Sequence, residues 1–228
     1  MELAFLGTGA AFSLERYNGA VVVDRRILLD AGAPLLPHLH RLEIDPGGIG
    51  TIFLSHLHGD HVAGLITFLA YRAFLAPRPL TIVAPEGAED RLDRLLTGAW
   101  GDEWAEFRAR FELRHQVAGR SGEVGGVPYE TVRLDHGRHG CTGYRLRVGE
   151  RLLAYAGDTQ ATPPLDDLVR GADVAITEAT GPGEVGSHTA WEEAAALAAR
   201  HPATRFFFNH IFAGDPPGAA GDLQVVTV

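Results

Sequence analysis

The chain reads as an α/β protein with mixed sheets. Short runs of apolar, often β-branched residues recur along its 228 residues, and several are followed by segments with apolar residues at helical spacing. Other runs follow one another across short polar turns, as hairpins do. No internal repeat, low-complexity segment or linker interrupts this pattern, and the length suits one large domain spanning residues 1–228.

Residues 3–6 are wholly apolar and are broken by Gly7-Thr8-Gly9, which predicts a buried strand. Residues 19–23 and 26–29 predict a hairpin turned at Asp24-Arg25 and ended by Asp30-Ala31-Gly32. Leu35, Leu36, Leu39 and Leu42 predict a helix over 34–44, stopped by Asp45-Pro46-Gly47-Gly48. A strand over 51–54 precedes a helix over 61–75, and a strand over 80–83 precedes a helix over 86–96. Residues 98–126 show only partial helical spacing, through Trp100, Trp104, Phe107 and Phe111. Strands follow over 129–134, 143–148, 152–155 and 173–177, then a helix over 191–200 and a strand over 205–208.

Composition narrows the function classes. The net charge is −9, all 20 cationic residues are arginine, and no basic cluster stands out, which argues against a nucleic-acid partner. Cys141 is the only cysteine, so no intrachain disulfide forms and a reducing compartment is expected. The N-terminus lacks the pattern of a secretory signal and no apolar stretch reaches about 18 residues, so the expectation is a cytoplasmic protein without a membrane partner.

The most informative segment is Ser55-His56-Leu57-His58-Gly59-Asp60-His61, directly after the 51–54 strand. Imidazoles two apart on a turn can point at one cation, and the Asp60-His61 pair can serve a second cation beside it. This is half of a two-metal site, the kind that usually performs hydrolysis. The plain alternative is a polar loop rich in histidine. Against it, three further candidate ligands each directly follow an apolar strand: His136, Asp158 and His210. Singly, each has a dull reading as a surface histidine or a Gly-Asp turn.

In this order the residues resemble the metallo-β-lactamase superfamily, and within it the ribonuclease Z-like branch. The likeness runs from Phe5-Leu6-Gly7-Thr8-Gly9-Ala10 and Leu29-Asp30-Ala31-Gly32 through the histidine loop to His136 and Gly143-Tyr144-Arg145. Gly157-Asp158-Thr159, Glu178-Ala179-Thr180, Ser187-His188-Thr189-Ala190 and His210 extend it over nearly the whole chain. The resemblance implies an αββα sandwich, two mixed β-sheets flanked by helices with metals at one edge. It implies that His56, His58 and His136 hold one divalent ion, that Asp60, His61 and His210 hold the other, and that Asp158 bridges them. Asp30 would orient a ligand histidine through its second ring nitrogen. His139 competes with His136 for one ligand position; His136 is preferred because it directly ends its strand. Zinc suits such a His/Asp set, as do manganese and iron. A homodimer is expected by analogy with the branch.

Two divalent ions about 3.5–4 Å apart can share a hydroxide formed near neutral pH, so no serine or cysteine nucleophile is needed. By the resemblance, His188 protonates the leaving oxygen and Glu178 holds it, with Asp60 completing the catalytic set. The alternatives are a capping position for His188 ahead of the last helix and a structural buried carboxylate for Glu178. The expected function is hydrolysis of a small nucleotide-like or cyclic phosphodiester. Lactone, thioester or aryl sulfate hydrolysis, tRNA 3′-end cleavage and non-catalytic metal binding are the competing readings. The branch's tRNA-gripping arm, expected between Tyr144 and Asp158, has room only for a tight hairpin. After the last histidine the chain reads Ile211-Phe212-Ala213-Gly214-Asp215, without the branch's usual aromatic and basic residues there. Cys141 is expected to be a small buried thiol, and Trp100 and Trp104 either core residues or part of a lid. His38, His40, His115 and His201 are expected to be structural or on the surface.

Overall fold

A computed structural model describes residues 1–32, 34–138 and 140–228. The first sheet gathers β1 (Glu2–Gly7), β2 (Ala20–Val23), β3 (Ile27–Leu29), β4 (Thr51–Phe53), β5 (Leu80–Ala84) and β6 (Leu113–Val117). The second gathers β7 (Ser121–Val124), β8 (Val127–Leu134), β9 (Cys141–Val148), β10 (Arg151–Tyr155), β11 (Val174–Glu178) and β12 (Arg205–Asn209). A last strand, β13 (Gln224–Thr227), returns to pair antiparallel with β1 at the edge of the first sheet. Both sheets are mixed: β3 through β6 run parallel after an antiparallel start, and β10, β11 and β12 run parallel after an antiparallel meander.

Strand alternation explains why the runs are apolar on both faces. In β1, Leu3 and Phe5 join the core between the sheets, whereas Ala4 and Leu6 turn to the outer helices. The same division puts Phe53 inside and Ile52 and Leu54 outside. Between the sheets, Phe53 meets the Tyr144 ring edge-on at 5.1 Å and the Tyr129 ring at 5.5 Å. Helices α1 (Leu35–Arg41), α2 (Gly59–Val62), α3 (Leu65–Leu75), α4 (Ala88–Trp100) and α5 (Glu103–Arg108) lie among the strands of the first sheet in chain order, and all five supply residues to its outer core. Helices α6 (Pro163–Val169) and α7 (Trp191–Arg200) cover the second, with Leu165, Leu168 and Leu197 packed on Leu134, Ala154 and Ala175. The result is the expected αββα sandwich.

The turn at Asp24-Arg25 has positive φ at both residues (46° and 57°), the geometry that matches the twist of two antiparallel strands. Several elements differ from expectation. The helix expected over 61–75 is two, because the chain bends at residues 63–64 between α2 and α3. The segment over 98–126 holds the end of α4, all of α5, and strands β6 and β7. Strand β6 is half-exposed and polar, so it carries no apolar signal, and the edge strand β13 is equally open. Helix α6 begins with Pro163-Pro164, which is favourable at a helix start but resembles a loop in sequence. Trp104 is buried and donates to Asp93 Oδ1 at 2.8 Å, and Trp100 donates to the Ile66 carbonyl at 3.0 Å, so both are packing residues and not a lid. Among the described residues no helix is long and apolar enough to cross a membrane.

Candidate metal centre

The C-terminal ends of six strands converge on one edge of the sandwich. Strand β3 delivers Asp30, β4 the histidine loop, β8 His136, β10 Asp158, β11 Glu178 and β12 His210. Two of these positions adopt left-handed backbone without being glycine, Asp30 and His210, both at φ 52°. Two close approaches depend on glycine. A Cβ on Gly32 would lie 1.5 Å from the Asp60 carbonyl oxygen, and one on Gly157 (φ 64°) would lie 2.5 Å from the Ser55 side chain. Glycines in the Asp30-Ala31-Gly32 and Gly157-Asp158-Thr159 motifs therefore let both segments press against the histidine loop.

All seven sequence-assigned ligand candidates meet here. His56 Nε2 lies 2.9 Å from His58 Nδ1, and His136 Nε2 lies 3.3 Å from the same atom. Both Nε2 atoms are 3.8 Å from Asp158 Oδ2. On the other side, His61 Nε2 and His210 Nε2 lie 3.3 and 3.4 Å from Asp60 Oδ2, and each is 3.2 Å from an Asp158 oxygen. Each set of four offers one ligand atom per residue within 4.8 Å of the others, and Asp158 belongs to both. His139 lies outside the described residues, so its competition with His136 stays open.

The donor chemistry fits divalent cations. His61 Nε2 and Asp158 Oδ1 are both buried and make no hydrogen bond. Four rings turn one nitrogen inward while the other is held from behind. His56 Nδ1 is 3.0 Å from Ser55 Oγ, and His136 Nδ1 is 3.1 Å from the Ser187 carbonyl. His61 Nδ1 is 2.8 Å from Asp30 Oδ2, and His210 Nδ1 is 3.2 Å from Glu178 Oε2. An outer hydrogen bond on each ring is the usual arrangement behind metal-ligating histidines. Asp30, fully buried, accepts further from Ser55 N (2.7 Å), Ser55 Oγ (2.7 Å) and the Tyr155 hydroxyl (2.5 Å). Tyr155 is a supporting residue that sequence patterning read only as a strand position.

The charge balance leads the same way. Burial opposes ionisation of Asp158, yet His210 and His61 hold its carboxyl well below the usual range. Burial likewise opposes ionisation of Asp60, and the neighbouring imidazoles of His210 and His61 outweigh it. In return, against the cost of burial, Asp158 and Asp30 raise His61, and Asp158, Asp60 and Glu178 raise His210 to about 10. Burial drives His56 the opposite way, down to about 2, and lowers His58 with help from His136. The cluster is thus a buried concentration of negative charge that demands cations.

A third group overlaps the second. Glu178, fully buried, accepts from Thr159 N (2.6 Å), Thr189 N (3.0 Å) and Thr180 Oγ1 (2.8 Å), and from His188 Nδ1 at 2.8 Å. The His188 ring stacks on His210, with centroids 5.0 Å apart and planes 18° from parallel. Burial opposes protonation of His188, and the bond to Glu178 overcomes it, so its pKa is raised. His188 does not cap α7; the helix starts after Ala190, whose N–H donates to Glu193 at 2.9 Å. The cluster opens into a cavity of about 750 Å³ lined also by Phe12 and Phe212, which are 82% and 52% exposed. Sequence reasoning missed Phe12. Its only signal is an aromatic residue in the Gly-rich segment after β1.

An αββα sandwich with this His/Asp cluster defines a metal-dependent hydrolase of the metallo-β-lactamase superfamily, in its ribonuclease Z-like branch. The chain is 30% identical to a ribonuclease Z of Bacillus velezensis, over 93% of this chain and 88% of that one. Among solved structures, human tRNase Z, short form, superposes with a TM-score of 0.80 at 24% identity, covering 100% of this chain and 99% of that one. A diphosphatase from the PhnP family gives 0.76 at 20% identity, covering 100% and 97%. The chain belongs to the family described as anti-Pycsar protein Apyc1, whose model matches residues 1–203.

Proposed function

We propose that the chain is a binuclear metal-dependent phosphodiesterase acting on a small nucleotide-like or cyclic phosphodiester. The observation that carries this reading is the Glu178–His188 pair at the rim of the cluster. His188 Nδ1 is tied to Glu178, which leaves Nε2 as the nitrogen available to the cavity. A protonated imidazole there can donate to the leaving oxygen of a phosphodiester, whereas lactone or thioester hydrolysis needs no such donor of this strength. Glu178 holds His188 and His210 together, so the donor is positioned relative to the cluster.

His56, His58 and His136 would hold one cation, Asp60, His61 and His210 the other, with Asp158 between them. Two divalent cations so held, with zinc, manganese and iron all compatible, would activate water near neutral pH and offset charge building on the phosphate. The hydroxyl and the thiol nearest the histidine loop are poor nucleophiles. Ser55 Oγ donates to Asp30, and burial raises the Cys141 thiol far above its ordinary range. In this reading the nucleophile is a water activated between the two cations. Phe12 and Phe212 stand where a nucleobase can stack, a contact worth about 1–3 kcal/mol per base.

Cleavage of RNA 3′ ends is the second reading, favoured by relatives named ribonuclease Z. The place expected for a gripping arm holds a hairpin in which only residues 149–150 separate β9 from β10. Hydrolysis of bis(p-nitrophenyl) phosphate by wild type and His188→Ala, with metal content measured on the same samples, tests the proposal. Two metals per chain and a loss of about 10²–10⁴-fold in kcat for the variant are expected. Metal without turnover would move the assignment to esters, lactones and thioesters. Efficient cleavage of a precursor tRNA transcript with little action on small diesters would favour the second reading.

A further inference from the structure

Loops from distant parts of the chain meet beside the cluster. Residues 8–18 follow β1 and residues 210–223 join β12 to β13, and each loop brings one exposed phenylalanine, Phe12 or Phe212, to the wall of the large cavity. Burial does not hold the tip of the first loop, where Leu14 is as open to solvent as Phe12. A polar latch at its base does. Arg16, with its side chain only 11% exposed, donates to Thr8 Oγ1 (2.7 Å) in its own loop. It also donates to the carbonyls of Ala220 (2.8 Å) and Gly214 (3.3 Å) in the other loop and pairs with Asp215 there. Asp222 joins the same two loops as an acceptor: Oδ1 takes Thr8 N (2.8 Å) and Thr8 Oγ1 (2.7 Å), and Oδ2 takes Tyr17 N (2.8 Å). Backbone bonds from Ala10 N to the Ile211 carbonyl (3.0 Å) and from Ile211 N to the Thr8 carbonyl (2.9 Å) complete the seam. Gly9 lets the loop close on itself, since a Cβ there would lie 2.8 Å from both the Cβ and the carbonyl oxygen of Arg16.

We infer that Arg16 is a positioning residue for recognition of the substrate's base: it fixes the two loops that present Phe12 and Phe212, and does not itself line the cavity. A loop tip seated in a core keeps its place when one polar side chain is lost. This tip buries almost nothing, so its order depends on the hydrogen bonds at its base. The forked guanidinium reaches acceptors on both loops at once, which the single ammonium of a lysine does poorly. With the loops latched, the two rings are placed before the ligand arrives, and a base binds without the cost of ordering them. The inference rests on the phosphodiesterase reading and adds to it the residue that holds the aromatic mouth in place.

Calorimetric titration of the metal-loaded protein with thymidine 5′-monophosphate and with methyl phosphate isolates the contribution of the nucleoside, because both ligands carry the same phosphate group. Wild type is expected to prefer the nucleotide by about tenfold or more, the effect of one base stacked on an aromatic side chain. In Arg16→Ala that preference is expected to fall below about threefold, with Arg16→Lys, which keeps the charge and loses the fork, in between. A merely structural Arg16 would weaken both ligands alike and leave their ratio at its wild-type value. Asp222→Asn loosens the same latch without a change of size, and its ratio should fall in the same direction should loss of Arg16 disturb folding. Equal binding of the two ligands by wild type, or a ratio that neither Arg16→Ala nor Asp222→Asn lowers, would overturn the role of Arg16. Such a result would leave hydrolysis of bis(p-nitrophenyl) phosphate untouched. Conversely, absence of that hydrolysis alongside a ratio that falls in the variants would remove the phosphodiesterase reading and keep the latch.

Discussion

The two halves of the cluster are built differently. On the His56, His58 and His136 side, the outer nitrogens of His56 and His136 rest on neutral groups, the Ser55 hydroxyl and the Ser187 carbonyl. On the Asp60, His61 and His210 side, the outer nitrogens rest on the buried carboxylates Asp30 and Glu178. The consequence shows in proton affinity: His56 is driven down to about 2 by burial, while His210 is held at about 10 by its carboxylates against that same burial. Ionic support behind a ligand strengthens its demand for positive charge, and neutral support leaves only the ring's own basicity. With two cations held as proposed, the carboxylate-backed half is expected to keep its ion more firmly than the neutrally backed half.

The strongest way to break this contrast is Asp30→Ala. It strips the acceptor from His61, both Ser55 donors and the Tyr155 hydroxyl at a fully buried position, at an expected cost of about 3–5 kcal/mol in unfolding by urea. Metal analysis of any folded fraction should show one ion per chain where wild type holds two. A loss of both, or of neither, would contradict this difference between the two halves.

Gly32→Ala attacks the same half through the backbone. Its Cβ would collide with the Asp60 carbonyl oxygen, which no side-chain rotation relieves. Displacing that loop by about an ångström should lower kcat/KM on bis(p-nitrophenyl) phosphate by roughly 10²-fold. A variant of wild-type activity would show that Asp60 need not be held so closely.

Chelation tests both halves together. A cation present at about 100 times its dissociation constant stabilises a fold by about 2.7 kcal/mol, or roughly 5–10 °C in Tm for a chain of this size. Graded chelator should release one ion before the other, with the His56 side emptying first. An unchanged melting temperature after complete removal would count against a metal centre of this kind.

The smallest expected change is on the neutral side. Ser55→Ala removes one hydroxyl that bridges His56 Nδ1 and Asp30 Oδ2, a loss of about 1 kcal/mol in stability. Its effect should fall well below that of Asp30→Ala in the same urea titration. Equal effects would mean that Ser55, and not the carboxylate, is the centre of the network.

Much of this architecture is legible in the chain. The apolar runs at β1, β4 and β12, the Asp24-Arg25 turn and helix α7 follow from patterns spanning a dozen residues or fewer, because burial and turn geometry act locally. The histidine loop, and a single polar ligand type directly after each of three strands, marked the cluster in the same way. Strands β6 and β13 escaped because edge strands bury too little to need an apolar pattern, and α6 escaped behind its paired prolines.

Tertiary structure alone decided how those residues meet. Tyr155 joins Asp30 across 125 positions, and His210 reaches Asp60 across 150. Only packing of the two sheets sets such distances, since no local preference encodes them. The left-handed backbone at Asp30 and His210, the glycine contacts of residues 32 and 157, and the exposure of Phe12 and Phe212 at the mouth belong to the same class. The division of the cluster into a carboxylate-backed half and a neutral half is likewise a product of packing: it depends on which atom stands behind each ring, and residues far apart in the chain supply those atoms.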